Sequence, residues 1–311
     1  MKKLRIALQT GITALAIAAT PGLATAQQAG SSVTVYGIMD AAVEWSRAGE
    51  DGVARLTSGA GMGSRFGFTG KEDLGDGWAA LFRIEQGLSL DDGQLGQGGR
   101  AWGREASVAL SNTRLGMLQA GRLPTPYYSV LWGVDAFVWM GGGGMLALTR
   151  SGQPVRQVLA NGANARHDNA VGFVSPSLDG LVVRALVSAG EGSTAIGRGY
   201  SFSARYTNAP VDLVLGAVRQ DGAGSSGGRA QGIVVGGSYD FGSVKAYAGY
   251  TVEKNSCATC TGALARVTGV GANGSSEFRL LNMGARVPVG AFTVIAQLVK
   301  VADRSEYAVN P

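Results

Sequence analysis

From Val33 onward, apolar side chains recur at every second position, in segments of about nine to twelve residues separated by turn-forming residues. Tyr200, Phe202, Ala204 and Tyr206 alternate with Ser201, Ser203, Arg205 and Thr207, and Met39, Ala41, Val43 and Trp45 are out of step with Asp40 and Glu44. Successive side chains of a strand point to opposite faces, so each segment has one apolar and one polar face. The pattern predicts thirteen strands, at 33–45, 63–72, 77–88, 101–111, 116–122, 165–174, 181–189, 199–207, 211–220, 230–240, 243–253, 276–286 and 290–303.

The connections alternate between short and long. Leu74-Gly75-Asp76-Gly77, Asn112 to Leu115, Asn208-Ala209-Pro210 and Val287-Pro288-Val289-Gly290 are tight turns. Ser46 to Met62, Leu123 to Asn164, Asp221 to Gly228 and Lys254 to Ser275 are longer loops, mostly rich in glycine. A soluble β-sandwich has no reason to sort its loops by parity, whereas an outer-membrane barrel has short turns on the periplasmic side and long loops outside. Trp78, Tyr206, Tyr239, Phe241 and Phe292 lie beside the short turns on the apolar side of their strands, as a periplasmic aromatic girdle would. The fold class is therefore all-β, an antiparallel transmembrane barrel.

The first 26 residues follow a different pattern. Lys2, Lys3 and Arg5 precede an apolar stretch from Ile6 to Ala19 and the small-residue site Ala24-Thr25-Ala26, the layout of a cleaved signal peptide. The expected organisation is thus a leader at 1–26 and a barrel domain at 27–311. Removing the leader takes three of 27 basic and none of 22 acidic residues, lowering the net charge from +5 to +2. The basic residues are also spread singly, which excludes nucleic acid as a partner. Beyond the leader, no apolar run is long enough for a spanning helix. Cys257 and Cys260, the only cysteines, could form a local disulfide after export and have no neighbouring ligands for a metal. No cofactor is expected.

Several short motifs occur in one order along the chain: Ser32-Val33-Thr34-Val35-Tyr36-Gly37 with Asp40, Ser64-Arg65-Phe66-Gly67-Phe68, Gly70-Lys71-Glu72-Asp73-Leu74-Gly75, Arg104-Glu105-Ala106, Gly121-Arg122-Leu123-Pro124 and Asn169-Ala170-Val171 before Ser175-Pro176. From about residue 31 to its end, the chain resembles the Gram-negative general porins, especially those of beta-proteobacteria. The resemblance implies a 16-stranded barrel in the outer membrane, in contact with lipid and lipopolysaccharide, usually a homotrimer, with the third long loop folded into the lumen as a constriction. That loop is Leu123 to Asn164; it contains the apolar run Leu131 to Met140, read as a short helix, and Gly141 to Gly144, a run with wide backbone freedom. Thirteen strands fall short of sixteen, and the terminal aromatic that the resemblance implies is not at Asn310-Pro311. The expectation is therefore a C-terminally truncated barrel.

Strand parity sorts the charges. Phe66 and Phe68 outward send Arg65, Thr69 and Lys71 inward; Phe82 and Ile84 outward send Arg83 and Glu85 inward, and Arg184 and Arg205 are inward as well. Arg104 shares the parity of Val108 and Leu110, but the resemblance implies a place on the pore wall. In the long loop Asp135 is the one acid, against Arg150 and Arg156, with Arg166 just beyond and Arg122 just before. The candidate pore lining is thus Arg65, Lys71, Arg83, Glu85, Arg104, Arg122, Asp135 and Arg166. Such a surplus of fixed positive charge favours anions. The expected function is passive diffusion of ions and small hydrophilic solutes, anionic or neutral, with a mild anion preference; a barrel that binds ligands through its outer loops, as adhesin or receptor, is the alternative. Catalysis is not expected: His167 beside Asp168 has no suitably placed nucleophile, Asp40 with Glu44 reads as inward polarity, and no glycine cluster opens a helix after a strand.

Overall fold

In a computed structural model, residues 31–48, 51–138, 165–190, 197–222, 228–255 and 277–304 are described. The expected leader at 1–26, the pair Cys257 and Cys260, and loop residues 139–164, with Arg150, Arg156 and Gly141 to Gly144, lie outside them. The strands are β1 (Ser31–Ile38), β2 (Ala41–Ala48), β3 (Asp51–Ser58), β4 (Arg65–Gly75), β5 (Trp78–Gly87), β6 (Glu105–Asn112), β7 (Gly116–Pro124), β8 (Arg166–Val174), β9 (Leu181–Ser188), β10 (Gly199–Asn208), β11 (Val211–Gln220), β12 (Ala230–Asp240), β13 (Lys245–Lys254), β14 (Glu277–Val289) and β15 (Phe292–Asp303).

Thirteen of these form one antiparallel sheet in the order β1-β4-β5-β6-β7-β8-β9-β10-β11-β12-β13-β14-β15. Apart from the first pair, each strand lies beside its sequence neighbour, the meander that alternate short and long connections produce. The expected first strand, 33–45, breaks at Met39 and Asp40, and the second half of it pairs with β3 as a separate hairpin. Part of the expected loop from Ser46 to Met62 is therefore strand. Val43 faces Leu56 and Trp45 faces Ala54 across this hairpin, so the alternation continues into the segment that its glycines mark as a loop.

Directly opposed residues of an antiparallel pair share a face. The register therefore carries one face across the whole sheet: Val35, Phe68, Ile84 and Ala106 on one side, then Phe202, Ala217, Ile233 and Val252 further along it. This face is apolar and open, with Val35 66% exposed, Ile233 53% and Leu298 75%. The opposite face carries Ser203, Val234, Thr251, Leu280 and Asn282, all 0% exposed. That is the inverse of a soluble protein and the arrangement of a barrel wall, apolar toward lipid. No described helix is long and apolar enough to cross a membrane. At the tight turn between β4 and β5, Gly75, Asp76 and Gly77 have φ of 83°, 50° and 78°, a left-handed run that glycine permits.

Candidate functional site

After β7 the chain folds onto the inner face of its own wall. Thr125 starts the short helix Pro126–Val130: its hydroxyl accepts the Tyr128 amide at 3.1 Å, and Pro126 supplies the fixed φ suited to a first turn. A 3-10 turn, Leu131–Val134, continues it. The helical turns therefore begin before the expected run at Leu131 to Met140, because the cap and proline outweigh its hydrophobicity.

This segment makes the main apolar cluster of the described residues. Tyr127, Val130, Leu131 and Val134 pack against Val214, Val218, Val234, Phe278 and Leu280 of β11, β12 and β14. Glycines of the wall make the fit possible. A Cβ on Gly216 would lie 2.8 Å from Val130 Cγ2, one on Gly232 2.9 Å from the Tyr127 ring, one on Gly249 2.6 Å from Val134 and one on Gly284 2.6 Å from Ala136. Such distances are shorter than packed carbons tolerate, so these four positions form a groove that only glycine leaves open.

Polar bonds fix the segment in that groove. Ser201 Oγ accepts the Tyr127 amide at 3.1 Å, the Tyr127 hydroxyl donates to Glu253 at 2.5 Å, and Gln297 Oε1 accepts the Ala136 amide at 2.7 Å. Asn282 donates to the Val134 carbonyl and Arg286 to that of Ala136. The Arg205 guanidinium lies 3.8 Å from the centre of the Trp132 ring and pairs with Asp212 at 2.6 Å. Burial raises the Tyr127 phenol well above its ordinary value, and the charge and hydrogen bond of Glu253 act in the same direction.

A second polar group lies on the inner face of β4, β5 and β6, where Arg83 opposes Thr69 and Ser107. Glu85 is its centre. It receives Arg104 Nε at 2.5 Å, Arg65 Nε at 3.6 Å and the Tyr36 hydroxyl at 2.9 Å. Beside it Arg83 lies 3.7 Å from Glu105, which also accepts Ser107 at 2.8 Å. Arg104 escapes the parity of Val108 because β6 starts one residue later; its amide bonds the Glu85 carbonyl and its side chain turns back to the carboxylate. Arg166 Nε donates to the Arg104 carbonyl at 2.8 Å, and its guanidinium stands 5.1 Å from the Tyr128 ring centre. Four guanidinium groups thus meet two carboxylates, and the loop side chain opposite Arg166 is a neutral phenol.

Three other candidates lie differently. Lys71 opposes Leu81, near the short turn and away from this cluster. Arg122 opposes Ala106, and it bonds Asp168 at 2.5 Å and the Gly103 carbonyl at 2.8 Å, while Arg100 shares Asp168 at 2.7 Å. Asp135 is 0% exposed and accepts the Phe137 amide at 3.0 Å. The sequence pattern does not reveal Tyr36, Tyr128, Trp132 and Glu253; a phenol or indole in an apolar run carries no mark of the charge it will meet. His167 is buried and its Nδ1 lies 3.2 Å from Ser188 Oγ, which places the one histidine inside the wall.

Comparison with known proteins agrees with this architecture. The profile described as Gram-negative porin matches residues 13–310. The chain is 30% identical over 282 residues to an outer membrane porin protein of Bordetella pertussis, covering 75% of this chain and 67% of the relative. It is 31% identical over 249 residues to outer membrane porin protein 32 of Delftia acidovorans, covering 76% and 68%. Among solved structures, the anion-selective porin from Comamonas acidovorans superposes with a TM-score of 0.69 at 25% identity, over 88% of this chain and 80% of that one. Salmonella typhi OmpF, solved in complex with daunomycin, superposes with a TM-score of 0.59 at 14% identity, a likeness of fold alone, over 88% and 79%.

Proposed function

Because this chain belongs to the Gram-negative porin family, whose members are outer-membrane diffusion pores and not enzymes, we propose that it passes ions and small hydrophilic solutes with a preference for anions. The observation that carries this reading is the imbalance at the inner face. Arg65, Arg83, Arg104 and Arg166 surround Glu85 and Glu105. Where an acidic loop would offer carboxylates, the inward segment offers the ring of Tyr128 to Arg166 and that of Trp132 to Arg205. A ring over a guanidinium stabilises it without cancelling its charge. The field across the opening is then set by the arginines, and in a low-dielectric constriction it attracts anions and repels cations. The printed description of the Comamonas acidovorans porin as anion-selective points the same way.

The constriction is the loop 123–164, of which Pro126 to Ala136 lies on the inner wall among β10 to β15. Asp135 contributes shape to it, through the Phe137 amide, and Arg65, Arg83, Arg104 and Arg166 contribute charge. Each of β1 and β15 has a single neighbour among the described residues. Unpaired backbone groups facing lipid cost several kcal/mol each. By the family resemblance the closed wall has sixteen strands, and the pores associate as homotrimers after removal of residues 1–26. Insertion of the complete, closed barrel into a planar bilayer tests the reading: stepwise conductance with an anion-selective reversal potential supports it, and a membrane that remains silent excludes it.

A further inference from the structure

The inward segment has two faces. Tyr127, Val130, Leu131 and Val134, at 0% to 2% exposure, fill the groove in the wall. Tyr128 and Trp132 are part-exposed and lie four positions apart, on the same side of the helical run. With a rise of about 1.5 to 2.0 Å per residue, they stand roughly 6 to 8 Å apart along its axis. Ser129, beside Tyr128, turns its hydroxyl back to the Thr125 carbonyl at 3.0 Å. The one acid from Thr125 to Val138 is Asp135, which is 0% exposed. What this stretch shows to the passage is therefore a pair of rings, with no exposed carboxylate of its own.

Each ring has a guanidinium beside it, and the two guanidinium groups differ. Arg166, at the start of β8, stands 5.1 Å from the centre of the Tyr128 ring, and its Nε donates to the Arg104 carbonyl at 2.8 Å. That acceptor is uncharged, so it leaves the charge of Arg166 in place. Arg205, in β10, stands 3.8 Å from the centre of the Trp132 ring and pairs with the Asp212 carboxylate at 2.6 Å. Its charge is met within the wall. The pair of rings therefore has a cation at the Tyr128 end and a neutral π surface at the Trp132 end, and the spacing between them is the reach of one ring with its carboxylate.

We propose that Tyr128 and Trp132 form a binding platform for small aromatic carboxylates, with the carboxylate at Arg166 and the planar ring on Trp132. The inference rests on the reading of this chain as a pore and adds the class of anion that the pore favours. A carboxylate on a guanidinium makes a charge-assisted hydrogen bond. A planar ring stacks on an indole in the offset or edge-to-face manner that its quadrupole favours, and a guanidinium stacks on aromatic faces as well. An aliphatic carboxylate would use Arg166 and leave the rings unmet; a neutral aromatic solute would use Trp132 and leave the charge unmet.

The test uses the complete, closed barrel in planar bilayers bathed in KCl, with potassium benzoate or potassium cyclohexanecarboxylate added, and reads the concentration at which each probe halves the single-pore current. The probes carry the same charge and nearly the same bulk, and only benzoate is planar and aromatic. A merely apolar contact would favour the saturated ring, which has at least as much hydrocarbon to bury. The expected result is that benzoate acts at a concentration about threefold to tenfold lower, the factor that one aromatic pair contributes beyond buried area. Trp132→Leu should remove this preference and Trp132→Phe should keep most of it. Tyr128→Leu should reduce it in the same direction, which supplies the reading if the first variant forms no pores. Equal potency of the two probes on the parent, or a preference that survives either leucine variant, would overturn the proposal. Because the probes share one charge, their ratio is independent of the sign of the KCl reversal potential, so the platform and the anion preference succeed or fail separately.

Discussion

The Tyr127 hydroxyl donates to Glu253 Oε1 at 2.5 Å, joining residues 126 positions apart in the sequence, and both side chains are wholly buried. This bond ties the inward segment to β13 in a place that water does not reach. Tyr127→Phe removes the donor while leaving the ring to fill its space. A hydrogen bond to a charged group contributes about 1.5 to 3 kcal/mol. The variant should unfold at a lower temperature in detergent by that order of stability, read from its heat-modifiable electrophoretic shift, and should show more current noise in single-pore recordings, because the segment is less firmly held. An unchanged unfolding temperature would remove this bond from the account.

The same pair gives an alkaline signature. Burial first, and then the charge and hydrogen bond of Glu253, raise the Tyr127 pKa above that of an exposed tyrosine. A folded-state value above the unfolded one, near 10, means that the contribution to stability is fully present below about pH 10 and is lost as pH rises through the folded value. At about pH 11, one unit above the ordinary phenol value, parent and Tyr127→Phe should therefore show the same phenolate absorbance while both are folded. A parent excess of one phenolate at that pH would show that Tyr127 ionises like a surface tyrosine.

Gly249 is the most direct test of the groove. A Cβ there would stand 2.6 Å from Val134 and 2.7 Å from Asn282 Oδ1. Gly249→Val should displace the segment, at a cost of about 1 to 3 kcal/mol from overpacking, and single-pore conductance should change in the same variant. By contrast Gly242, in a turn with open space around it, should accept alanine with only the modest strain of its φ of 86° and with conductance unaltered. Equal effects at the two sites would mean that the glycines on the inner wall do not seat the loop.

The wall is legible in the chain because a period of two is a local property, and one buried or lipid-facing side enforces it. Strands such as Tyr200 to Thr207 and Val211 to Gln220 can be placed from alternation alone. The β2–β3 hairpin cannot, since Gly52 and the loop glycines mask a short alternation. Inward parity puts Arg65, Arg83 and Glu85 on one face, and the register agrees, but the sharing of Glu85 with Arg104 depends on where β6 begins, which parity does not specify. The Tyr127 to Glu253 bond and the contact of Tyr128 with Arg166 are illegible for a different reason: they join residues far apart in sequence, through a fold that only the assembled wall defines. Asp135 shows the same limit: the pattern marks it as the one acid of the loop, while its burial and its bond from the Phe137 amide depend on how the segment folds.

The central claim is that the arginines of the inner face, more numerous than the carboxylates they surround, set the preference for anions, and the reversal potential under a KCl gradient measures it most directly. In dilute salt the parent pore should give an anion-selective potential, and Arg65→Ala with Arg104→Ala should bring it toward zero. Concentrated salt should weaken the parent preference, because screening shortens to about 3 Å at 1 M. A cation-selective parent, or a double variant with the parent's potential, would contradict the account.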